Sequence, residues 1–253
     1  MIYDKLPALM LSVLASEKSG STNSVIAGFI LNHPEQASEM GIKELADACH
    51  AGTGSVSRFC RDYGFQDFSE LKRLLKEAEF RYEGITGEDT ADRISKWSHR
   101  MQEVIGHTAS SLSVSKIKEL AREIREYEKV SAYGMLKAEA AAVSLQTDML
   151  MMGKKIHTAV SYADQIDGIL QAGRDELIII FSYTGSYFDY HRFGVKERQL
   201  YLPEIWMICG TQRKLPEYIN DVIRFDSDQD QFGHPWQLME AGSLIAAEYE
   251  TIR

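Results

Sequence analysis

Three shortages narrow the possibilities before any motif is read. The 253 residues include only three cysteines, Cys49, Cys60 and Cys209. An odd, widely separated set excludes a disulfide framework, and neither the cysteines nor the seven histidines show metal-ligand spacing. Buried, reduced thiols are the expectation. Long apolar runs are missing too, since nothing approaches the roughly eighteen consecutive apolar residues of a membrane span. Residues 1–5, Met-Ile-Tyr-Asp-Lys, carry no basic segment ahead of a short apolar stretch, so no signal peptide is expected and the cytoplasm is the expected location. Positive charge is short as well. Lys and Arg number 28 against 37 Asp and Glu, a net charge of −9, and residues 1–80 hold eight Lys and Arg against eleven Asp and Glu. That balance argues against binding nucleic acid through bulk charge and leaves the role to a local cationic face.

What is present is the composition of an ordinary globular protein, 44% apolar and 26% charged, long enough for one large or two modest domains. The densest pattern lies at residues 42–65. Ile42, Leu45, Ala46 and Cys49 recur at helical spacing, as do Val56, Phe59, Cys60 and Tyr63, with a glycine-bearing turn between the two sets. Two short amphipathic helices joined in this way read as a helix-turn-helix. The outward face of the second helix carries Ser55, Ser57, Arg58 and Arg61, hydroxyls and guanidinium forks suited to phosphates and to base edges in a major groove. Upstream, Ser24 to His33 reads as an apolar helix closed by Pro34. Downstream, Gly64 ends the second helix, and Asp67-Phe68-Ser69-Glu70 opens another through Leu71, Leu74, Leu75 and Ala78, with Lys72, Arg73 and Lys76 as added cations.

Residues 81–112 change character: Gly84, Gly87, Glu88 and Asp89 interrupt the pattern, and Ile94, Trp97, Met101, Val104 and Ile105 then resume a helical stripe. From Val114 helices alternate with strands. Helices are predicted at 117–124, 138–152, 166–170, 188–199 and 236–249, and strands at 129–134, 156–160, 176–181, 205–209 and 222–225. This alternation implies a parallel sheet covered on both faces. Ligands in such sheets sit at the carboxyl ends of strands, and Ser182-Tyr183-Thr184-Gly185-Ser186-Tyr187 follows the most apolar strand. Its hydroxyls and glycine suit an anion. Met149, Met151 and Met152 read as core filler. His191-Arg192 reads mainly as a solvated face, and His234 with Glu240 is a weak acid–base candidate.

The strings Val56-Ser57-Arg58-Phe59-Cys60-Arg61-Asp62-Tyr63-Gly64-Phe65 and Phe68-Ser69-Glu70-Leu71-Lys72 resemble the RpiR-type regulators. The family usually places Gly and then a capping Ser in the turn where this chain has His50 and Gly52. The resemblance implies an N-terminal all-α helix-turn-helix domain, residues 1–80, a linker and connecting helix, 81–112, and a C-terminal α/β sugar isomerase (SIS)-like domain, 113–253, with a parallel sheet flanked by helices. It implies a transcriptional regulator of carbohydrate genes, not an enzyme, that reads an inverted-repeat operator and senses a phosphorylated sugar or related metabolite as a homodimer or homotetramer. The implied DNA-contacting set is Thr53, Ser55, Ser57, Arg58, Arg61 and Lys72; the implied effector set is Gly134 with Ser182, Tyr183, Thr184, Gly185, Ser186 and Tyr187. No cofactor, metal or catalytic residue is assigned. The family's Ser-x-Ser-Gly-x-Thr loop is kept here at Ser182 and Gly185, with Thr184 for serine and Tyr187 for threonine. Its Gly-x-Gly-x-Ser turn has become Ala132, Gly134 and Leu136. Two alternatives stand beside this, a sugar-phosphate isomerase with an accessory helical domain, against which the altered turn counts, and a constitutive regulator whose SIS-like domain only dimerises, which Tyr187 and Leu136 favour.

Overall fold

The computed structural model describes residues 5–78, 84–191, 193–228 and 230–252. Residues 1–4, the expected domain boundary at 80–81 and Arg192 fall outside the described residues. The N-terminal part is helical throughout: α1 (Lys5–Ser16), α2 (Thr22–Asn32), α3 (Pro34–Glu39), α4 (Ile42–Ala48), α5 (Thr53–Asp62) and α6 (Phe68–Glu77). Local chemistry sets these ends. Ser21 caps α2 by accepting from the Ser24 N–H, and Asp67 caps α6 by accepting from the Glu70 N–H at 3.0 Å. Pro34 follows the end of α2, as expected, but it also opens α3 at the first helical position, where a missing N–H is tolerated. Neither α1 nor α3 was evident as a separate element in the sequence.

The chain continues through α7 (Thr90–Ser111), α8 (Val114–Glu126), β1 (Lys129–Gly134), α9 (Lys137–Met151), α10 (Tyr162–Gln171), β2 (Glu176–Phe181), β3 (Glu204–Cys209), β4 (Asp221–Arg224) and α11 (Trp236–Ile252). The four strands form one parallel sheet in the order β1-β2-β3-β4. On one face Val130, Ala132, Leu177, Ile179, Trp206 and Ile208 are buried in a cluster with residues of α8, α9 and α11. On the other, Tyr133, Ile178, Ile180, Ile205 and Met207 share a cluster with α10 and with Leu9, Ile26, Leu45 and Phe59 of the N-terminal helices. One apolar core therefore runs from the sheet into the helical part. Each isoleucine of β2, fully enclosed, contributes about 1.5–3 kcal/mol relative to exposure.

Two predicted elements are corrected. The expected strand at 156–160 pairs with β1 only at His157, whose N–H donates to the Val130 carbonyl and whose carbonyl accepts from the Ala132 N–H; by Ser161 the chain has turned to cap α10. The expected α-helix at 188–199 is instead two 3₁₀ turns, Tyr187–Tyr190 and Gly194–Tyr201. Tyr187, Phe188 and Tyr190 are all buried, more apolar surface than one α-helical stripe holds in four residues, and Gly194 sits at φ +53°. The methionine reading holds for Met149, which is enclosed, and fails for Met151, which is 81% exposed. The α7 stripe also buries little: Val104 is enclosed, whereas Ile94 faces outward. All three cysteines are buried free thiols, and burial raises the pKa of each.

Candidate functional site

The pair α4 and α5 packs through Leu45, Ala46, Cys49, Val56, Phe59 and Cys60, all buried. Its turn closes as a left-handed cap: the Ala51 N–H reaches back to the Ala46 carbonyl at 2.8 Å while His50 takes φ +50°. A side chain there is strained relative to glycine, so His50 marks a departure the fold tolerates. Gly52 then caps α5 from extended backbone without a side-chain bond. At the far end Tyr63 is half-buried, and its hydroxyl donates to Glu17 at 2.6 Å, the main reason the Glu17 carboxyl titrates below its usual range. Gly64 follows at φ +81°. A Cβ there would stand 2.6 Å from the Tyr190 carbonyl oxygen, so the end of α5 rests on the backbone of the first 3₁₀ turn.

Thr53, Arg58 and Arg61 are exposed on α5, with Ser55 and Ser57 half-buried beside them. Neither arginine has an ion-pair partner among the described residues. The cations of α6 stand differently. The Lys72 ammonium donates to the Glu39 carbonyl at 2.8 Å, Lys76 pairs with the Glu39 carboxylate at 3.1 Å and Arg73 with Glu77 at 2.7 Å. Exposed pairs of this kind are screened by solvent and hold weakly, so they mark where Lys72 rests rather than bar it from a phosphate.

The second candidate site lies at the carboxyl ends of β1 and β2. Gly134 closes β1, and a Cβ on it would stand 2.6 Å from the backbone of Ala138, which explains why β1 and α9 can approach so closely. The expected effector residues are brought to one loop, yet several turn their polar atoms inward. Ser182 Oγ accepts from the Tyr187 N–H at 3.1 Å, and the hydroxyls of Thr184 and Ser186 bond each other at 2.6 Å. Gly185 supplies the turn at φ +69°. Tyr187 is enclosed and donates to Gln165 at 2.8 Å, and Tyr183 donates to Gln237 at 2.7 Å while stacking on His234 at 4.7 Å.

In front of this loop is a cavity of about 400 Å³. Ser182, Tyr183, Thr184, Ser186, Tyr187 and Tyr190 form one side, Met135 to Ala138 a second, and Pro7, Ala8, Leu11 and Ala15 of α1 the third. Gly134 and Gly185 shape its backbone without lining it. His234 is among the lining residues and Glu240 is not, so the acid–base candidates are not brought together there. Burial, with the Lys137 charge adding to it, pushes the His234 pKa down to about 3. Sequence reasoning missed α1 and Lys137. The signal for α1 was a twelve-residue helix apolar on every side, which implies two buried faces.

The model of the helix-turn-helix domain, rpiR family, matches residues 9–80. This stretch is an rpiR-family helix-turn-helix domain. The chain is also similar to solved structures at the level of fold. The Vibrio vulnificus NanR protein complexed with ManNAc-6P is 14% identical, with a TM-score of 0.53 over 97% of this chain and 92% of that one. The sugar isomerase domain of an RpiR transcription factor from Sphaerobacter thermophilus is 17% identical, with a TM-score of 0.51 over 63% of this chain and 90% of that one. The region behind the rpiR-family domain thus has the SIS fold. An HTH-type transcriptional regulator of Caldanaerobacter subterraneus subsp. tengcongensis is 28% identical over 70% of this chain and 66% of its own length. The chain spans 55–66% of the length of the curated regulators it matches.

Proposed function

We propose that this protein is a sugar-responsive transcriptional regulator: the rpiR-family domain reads operator DNA, and a small anionic metabolite in the cavity before residues 182–187 changes how well it does so. The observation that carries the reading is that one cavity is lined both by the loop after β2 and by α1 of the DNA-reading part. A ligand bound there touches both regions, which is what a binding equilibrium needs if it is to shift DNA affinity. Arg58 and Arg61 contact bases or phosphates, Thr53, Ser55 and Ser57 assist, and Lys72 contributes after leaving Glu39. A homodimer or homotetramer presents two such helices to an inverted repeat. The similar NanR structure holds a phosphorylated amino sugar, which supports a phosphosugar or related ligand here.

Regulation is favoured over isomerisation because the described lining of the cavity holds no carboxylate and its histidine is held neutral far below physiological pH. A flat progress curve with a panel of pentose and hexose phosphates is expected; turnover would overturn this choice. The inward bonds of Ser182, Thr184 and Ser186 favour one other reading, a constitutive regulator whose SIS fold serves only assembly. Thr184→Ala separates the two. A changed response to sugar phosphates supports sensing, and an unchanged absence of response in both proteins supports the constitutive form.

A further inference from the structure

We infer that the ligand of this cavity carries an apolar substituent, and that α1 is the wall which selects it. The inference rests on the sensor reading above and adds what that reading leaves open, the chemistry of the ligand's second end. Pro7, Leu11 and Ala15 follow one another at four-residue spacing, so they form a single stripe along α1. That stripe lines the cavity, while Leu6, Leu9, Met10 and Val13 on the other side of the helix are enclosed in the core. Nothing on the stripe can hydrogen-bond a sugar hydroxyl, and Leu11 remains 48% exposed.

The polar end of the cavity is built by the loop after β2, Lys137 and His234, and among the described residues α1 adds no polar side chain to the lining. Thr184 and Ser186 line it with hydroxyls that bond each other at 2.6 Å, and the Lys137 ammonium donates to the carbonyls of Gln231 and His234 at 3.4 Å. A bare hexose phosphate would satisfy this end and leave its own hydroxyls facing hydrocarbon, which is unfavourable for groups taken from water. A phosphosugar bearing an alkyl or aryl group of a few carbons matches both ends, and about 400 Å³ is a volume typical of small-molecule sites. The substituent is also the part of the ligand that touches the DNA-reading region, because Glu17, next after α1, holds Tyr63 at the end of α5.

Titration calorimetry of the full chain, without DNA, against glucose 6-phosphate and its methyl, butyl and phenyl glycosides tests this. Affinity is expected to rise with the substituent, by up to about fourfold for each methylene buried, so that the butyl glycoside binds at least tenfold tighter than the methyl. Leu11→Ser is expected to flatten that series, so that the butyl glycoside loses its advantage over the methyl. A circular-dichroism melt of each variant verifies folding, and Ala15→Ser serves as a second, milder substitution on the same stripe. A wild-type series that is flat or reversed overturns the inference while leaving the sensor reading intact. Absence of binding by all four probes overturns both. If Leu11→Ser instead dissociates a dimer and leaves the series unchanged, the stripe is a subunit interface and the inference fails.

Discussion

The two candidate sites use similar residues in opposite ways. On α5 the hydroxyls and guanidinium groups face outward, and Arg58 and Arg61 meet no acid among the described residues. In the loop after β2 the hydroxyls of Ser182, Thr184 and Ser186 bond within the loop, and the two tyrosines reach Gln165 and Gln237 from distant parts of the chain. The first arrangement leaves its charged groups at the surface. The second is a scaffold whose side chains mostly hold the loop's shape. A polar residue in a loop is therefore weaker evidence for ligand contact than one on an exposed helix face.

The largest expected effect falls on the scaffold. Gly134→Ala sets a Cβ against the Ala138 backbone, which has no flexible end to move, and should lower stability by about 3 kcal/mol in a urea melt. The surface site should respond in affinity and not in stability. Arg58→Ala is expected to weaken specific operator binding by about 1–3 kcal/mol with an unchanged melting curve, whereas Lys72→Ala, which starts from its bond to Glu39, should change it by less than about 1 kcal/mol. Equal losses from both would erase the contrast between α5 and α6.

The buried histidine gives a pH-dependent comparison of similar size. His234 titrates near 3 in the folded chain and near its ordinary value of about 6.5 when unfolded, so below pH 6.5 the unfolded state binds a proton that the folded state refuses. Stability contributed by neutral His234 is complete above that pH and is lost as pH falls. Between pH 6.5 and 5 the loss is about 2 kcal/mol, and His234→Phe, which keeps an aromatic ring against Tyr183, should remove that part of the acid sensitivity. Identical acid profiles for variant and parent would contradict the burial argument. The smallest effect belongs to the turn: His50→Gly relieves the left-handed strain and should raise stability by about 0.5 kcal/mol without loss of operator binding.

The sequence made the strands legible because β1 to β4 are short apolar runs bounded by glycines and charges, and the predicted and observed limits agree within a residue or two. The helix-turn-helix was legible for a related reason, since its apolar spacing and its Gly64 end are local signals. Residues 156–160 misled because their alternation suits a strand, while a strand needs a neighbour along its length and finds one only at His157. The 3₁₀ turns were hidden by their aromatic residues, whose partners, such as Tyr218 against Phe188 at 5.1 Å, lie far along the chain. The α1 wall escaped notice because its apolar surface pointed to burial without saying that one side of it faces a cavity.

The most direct test is fluorescence anisotropy of the full chain on labelled intergenic DNA flanking its own gene, with competitor DNA at moderate salt, with and without a pool of sugar phosphates. The account predicts specific binding whose midpoint the pool shifts by about five- to 150-fold, the range of ordinary coupling energies. Specific binding that the pool leaves unmoved, or no specific binding to any flanking region, would contradict it.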